Sequence, residues 1–90
     1  MRNILLISDY AASYRGNFIS SIEAIEKYLQ EYGIGDEKAR MVYLFPEPAK
    51  MQIWAKTFSQ KHIVYFVSRS FYARRFTRAD IAMLRHIIHS

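Results

Sequence analysis

Tyr14, Arg15, Gly16 and Asn17, within the stretch "SYRGNF", are the residue types from which a phosphate-binding loop is built. Gly16 lets the backbone approach an anion closely or take a positive φ. The first free amides of a following helix attract negative charge, and Arg15 adds a charge-assisted contact. The same residues also make an ordinary turn, with Gly16 redirecting the chain and Ser13 or Asn17 capping the helix. A single glycine does not separate these readings, because neither a G-x-G-x-x-G fingerprint nor a Walker pattern is present.

The remaining chemistry-bearing residues are scattered. Asp9 follows Ser8 as a base, a hydrogen-bond partner or a capping acid. His62, His86 and His89 do not have metal-ligand spacing, and there is no cysteine to complete a shell. No nucleophile elbow with Ser, His and Asp occurs. The expectation is therefore no catalytic residue, no cofactor and no metal, with Tyr14, Arg15, Gly16 and Asn17 as the candidate ligand-binding set. The basic stretch "RSFYARRFTR" interleaves arginine with aromatics, a composition able to stack bases and neutralise phosphates. It matches no nucleic-acid-binding motif, so it reads as a solvated loop or a lip over an acidic ligand or neighbouring domain.

These residues are carried on an alternating frame. "NILLIS" (3–8) is a continuous apolar run, as in a strand buried on both faces of a parallel sheet. From Phe18, apolar residues recur at Ile22, Ile25, Leu29 and Tyr32, the period of a helix, with Glu23 and Glu26 placed mainly off that face and Gly33 as its stop. "MVYLF" (41–45) is a second strand closed by Pro46. Pro48 opens a second helix whose apolar side runs Met51, Trp54, Ala55 and Phe58 and which ends near Gln60 or Lys61. "HIVYFV" (62–67) is a third strand. After an irregular basic segment, Thr77 caps a helix carrying Ile81, Leu84, Ile87 and Ile88, with Asp80 in its first turn. The order β-α-β-α-β-α implies an α/β fold: a three-layer, Rossmann-like unit on a short parallel sheet, spanning 1–90 as a single partial domain. In such folds the ligand side lies at the carboxyl ends of the strands, where Ser8 to Asn17 falls.

Ninety residues give room for one core, and 51% hydrophobic and 16% aromatic content exclude disorder. Seven Tyr and six Phe in so short a chain also point to apolar surface at an interface. The absence of cysteine, of a signal peptide and of any apolar run long enough to span a bilayer gives a cytoplasmic expectation. The net charge of +5 is concentrated late, at Arg69, Arg74, Arg75, Arg78 and Arg85. It suits a polyanion, a lipid or a phosphorylated small molecule alike.

Taken together, "RNILLISDYAASYRGNFISSIEAIEKYL", "MVYLFPE", "IWAKTF" and "HIVYFV" resemble the N-terminal half-domain of GT-B type nucleotide-sugar glycosyltransferases, in particular family-four-like enzymes of bacterial polysaccharide synthesis. The resemblance implies an acceptor-side Rossmann-like domain facing a donor-binding domain across a cleft, with Tyr14, Arg15, Gly16 and Asn17 toward that cleft. It implies a nucleotide-sugar or glycan acceptor as ligand. The chain carries no E-x-x-x-x-x-x-E donor motif and reaches Ser90 without a fourth strand. The expectation is thus a truncated or split half, inactive alone, that associates with itself or with a missing C-terminal half. The alternative is a small basic module that binds nucleic acid or another polyanion.

Overall fold

A computed structural model describes residues 2–73 and 75–89, with the side chains of 69, 70 and 89 left aside. Arg74 and Ser90, and the side chains of Arg69 and His89, lie outside this description. Three strands, β1 (Arg2–Ile7), β2 (Ala39–Pro46) and β3 (Ile63–Val67), alternate with α1 (Gly16–Tyr32), α2 (Ile53–Lys61), a short α3 (Arg69–Tyr72) and α4 (Arg78–His89). The strands form one parallel sheet in the order β1-β2-β3, with Ile4 opposite Met41 and Val42 opposite Ile63. The chain is an α/β, Rossmann-like unit. Among the described residues no helix is long and apolar enough to cross a membrane.

The sheet order dictates the layers. Both crossovers step in the same direction, so with a common hand they set α1 and α2 on the same face. Strand periodicity then divides the core. Met41, Tyr43 and Phe45 of β2 pack with Ile19 and Ile22 of α1 and with Trp54, Ala55 and Phe58 of α2. The alternate residues Val42 and Leu44 meet Val67, Phe71 of α3 and Ile87 of α4 on the opposite face. As the central strand β2 is buried on both faces, which is why it reads as an unbroken apolar run.

Several elements differ from expectation. Helix α1 begins at Gly16 rather than at Phe18, and its buried stripe is Ile19, Ile22 and Glu26, with Leu29 packed behind them. Phe18, Ile25 and Tyr32 are exposed. The helix is thus rotated by a fraction of a turn, keeping Ile22 and Leu29 inward and bringing Glu26 beneath β2, where its carboxylate accepts hydrogen bonds. Between β2 and α2 the chain makes a 3₁₀ turn (Glu47–Met51) carrying Pro48, and Gln52, with extended backbone, separates it from the helix proper. Met51 is therefore 86% exposed instead of lining the helix's apolar side. Trp54, Ala55 and Phe58 are buried as expected. The basic segment after β3 is not wholly irregular, because α3 seats Phe71 in the core. At α4 the cap is reciprocal: the Asp80 amide donates to Thr77 Oγ1 at 3.1 Å, and the Thr77 amide donates to Asp80 Oδ2 at 3.0 Å. Gly33 closes α1 with φ +74, and an added Cβ there would fall 2.1 Å from the Glu37 carbonyl oxygen.

Candidate functional site

The loop after β1 is held by bonds that reach far along the chain. Ser8 is its pivot. The Ser8 amide donates to the Leu44 carbonyl at 2.9 Å, continuing the ladder past β1, while its Oγ accepts the Tyr10 amide at 3.0 Å. Its carbonyl accepts the Tyr72 hydroxyl at 2.6 Å. Further on, the Ala11 carbonyl accepts Gln52 Nε2 at 3.0 Å and the Ala12 carbonyl accepts Trp54 Nε1 at 2.8 Å. Tyr10 stacks on Phe18 with centroids 4.9 Å apart and tilts against Trp54. The loop is therefore stitched to the start of α2 on one side and to α3 on the other.

These contacts leave an open concavity of about 500 Å³ at the carboxyl end of β1, lined by Leu6, Ile7, Ser8, Asp9, Phe18 and Tyr72. This is where parallel α/β sheets receive ligands. Asp9 is exposed, and its carboxylate makes no hydrogen bond or ion pair among the described residues. Burial, and secondarily the Asp9 charge, pushes the Tyr72 phenol up to about 12, so it stays a neutral donor over the whole physiological range.

The four residues singled out in "SYRGNF" stand beside this concavity, at the mouth of α1, and the lining passes from Asp9 to Phe18 without them. Gly16 opens α1 with φ +56, under the ring of Tyr14. Tyr14 is exposed, and its carbonyl accepts the Tyr10 hydroxyl. Asn17 is exposed, and neither it nor Ser13 caps the helix; the residue at the cap position is Arg15, in helical conformation and without a side-chain cap bond. The Arg15 guanidinium runs along α1, donating to Ser20 Oγ at 3.0 Å and pairing with Glu23. Its charge is thereby directed away from the concavity. Tyr72, which the spacing of the sequence did not single out, comes to the site across 64 residues.

A second polar assembly lies between α1 and the sheet. Glu26 Oε2 accepts the Met41 amide at 2.8 Å, one residue before the β2–β3 ladder begins, and Oε1 accepts the Tyr43 hydroxyl at 3.1 Å. The His62 Nδ1 meets the same carboxylate, and its Nε2 lies 3.0 Å from Glu23 Oε2. Burial, reinforced by the charge and hydrogen bond of Glu26 and by Glu23, drives the Tyr43 hydroxyl well above the ordinary phenol range. Every member is satisfied by another, as a network this deep must be. Among the described residues no group of three or more His, Asp or Glu side chains converges in a metal-binding arrangement.

Comparison with protein-family models, with curated proteins and with solved structures returns no match to this chain.

Proposed function

We propose that this chain forms the acceptor-side wall of a sugar-transferring enzyme's cleft, the role implied by its resemblance to GT-B N-terminal domains, and that the concavity beyond β1 takes a hydroxyl-rich saccharide. One observation carries the reading: Asp9, whose carboxylate has no hydrogen bond or ion pair among the described residues, lines the same concavity as two aromatic side chains, Phe18 and Tyr72, at the carboxyl end of the sheet. A carboxylate accepts hydrogen bonds from paired sugar hydroxyls, and aromatic faces take the apolar C–H face of a pyranose ring. The same carboxylate repels phosphate, and the nearest loop cation, Arg15, is paired with Glu23. A nucleotide diphosphate therefore belongs on an opposing wall supplied by a second domain or partner chain.

The test is ligand-observed NMR of the whole chain with neutral oligosaccharides and, separately, with uridine diphosphate. Saccharide binding should weaken about tenfold or more in Asp9→Asn, the loss of one or more hydrogen bonds to a charged group, and again in Phe18→Ala. Arg15→Ala should leave it unchanged. Tight diphosphate binding that depends on Arg15 would overturn the assignment in favour of a phosphate loop at Tyr14 to Asn17.

A further inference from the structure

The outward face of α4 combines two kinds of side chain that rarely stand together in the open. Residues 80, 83, 84 and 87 turn toward the sheet, with Asp80 and Ile87 buried. The opposite side carries Arg78, Ile81, Ala82 and Arg85, which line a shallow basin of about 390 Å³. Ala82 keeps it open by contributing only a methyl group. Ile81 is 46% exposed and Ile88, seven residues on, 72% exposed. Arg78 and Arg85 repeat at the same interval, about 10.5 Å along the axis, so arginines and isoleucines form two parallel rows. Neither arginine has an ion-pair partner among the described residues. The one acid of the helix, Asp80, is turned inward and bonded to Thr77.

We propose that this face of α4 docks the protein on an anionic phospholipid surface, Arg78 and Arg85 holding headgroup phosphates around the basin while Ile81 and Ile88 enter the boundary with the acyl chains. Charge selects a polyanion, because among the described residues the face carries two cations without an ion-pair partner and no acid. The isoleucines select among polyanions. A nucleic acid backbone needs only the cations and leaves two exposed branched side chains in water, whereas a bilayer interface takes up both rows at once. The proposal stands apart from the saccharide site, since the two surfaces share no residue.

Co-sedimentation of the full chain with phosphatidylcholine vesicles, with and without phosphatidylglycerol, tests it. Binding should require the anionic lipid. Arg78→Gln with Arg85→Gln should weaken it about 25-fold, some fivefold for each charge near the surface. Ile81→Ser with Ile88→Ser should weaken it about tenfold while leaving retention on heparin unaltered. All four positions are exposed, so circular dichroism should show unchanged helix content, and a variant that lost it would be replaced by Ile81→Ala with Ile88→Ala. Failure to bind anionic vesicles overturns the proposal, and so does vesicle binding indifferent to the isoleucines, which would mark plain polyanion adsorption.

Discussion

Replacing Glu26 by alanine should come close to unfolding the protein. The carboxylate accepts from the Met41 amide, the Tyr43 hydroxyl and the His62 ring, so its removal strands three donors. Each buried donor left unpaired costs about 1–3 kcal/mol. His62 retains some access to water, which holds the sum near the about 3–5 kcal/mol typical of breaking a buried charged pair. A chain of this length has about 5–13 kcal/mol in total. Glu26→Gln keeps one acceptor oxygen and nearly the same volume, and should lose only about 1–2 kcal/mol. Urea unfolding followed by the fluorescence of Trp54, the only tryptophan and itself buried, measures both. With a slope of about 1–2 kcal/mol per molar urea, the alanine variant's midpoint should fall by about 1.5–5 M or vanish. A loss below about 0.5 kcal/mol, the usual effect at an exposed helical site, would refute the buried-network account.

Alkaline stability should depend on Tyr72. Its folded phenol titrates near 12 against about 10 when unfolded, so its contribution is complete below about pH 10 and is lost as pH rises through 12. Phenolate absorbance should show Tyr72 and Tyr43 ionising only above the ordinary phenol range, and Tyr72→Phe should flatten the alkaline fall in stability. Gly16→Ala should destabilise by about 1–2 kcal/mol, because φ +56 is left-handed, whereas Gly16→Asn should be milder; thermal unfolding ranks the two. Thr77→Ala removes the cap of α4 and should cost about 1 kcal/mol in the same assay.

The alternation of strands and helices was legible because each rests on local pattern. The apolar run of β2, the Thr77 cap and the stop at Gly33 are all written within a few neighbouring residues. The rotation of α1 was not. Ile25 suits a buried face as well as Ile19 does by hydrophobicity, and the donors of Met41, Tyr43 and His62 that meet Glu26 come from elements distant in the chain. The candidate site divides the same way. Its place at the end of β1 followed from topology, and Gly16 from the need for a left-handed turn. Tyr72 arrives from another element and Arg15 turns to Glu23, two facts that no spacing within the loop encodes.

In the sheet, spatial neighbours are also neighbours in the chain, and that order bears on how the protein is made. Among the described residues, no strand must wait for a later one to be inserted between it and its partner. The unit β1-α1-β2 is complete in its pairing once residue 46 is available, and β3 then adds to an edge already in place. Loop closure is paid in two moderate instalments, which keeps contact order low for a parallel sheet and favours rapid, stepwise acquisition of structure during synthesis. In nascent chains of increasing length, protection of the β1 amides should therefore precede that of β3.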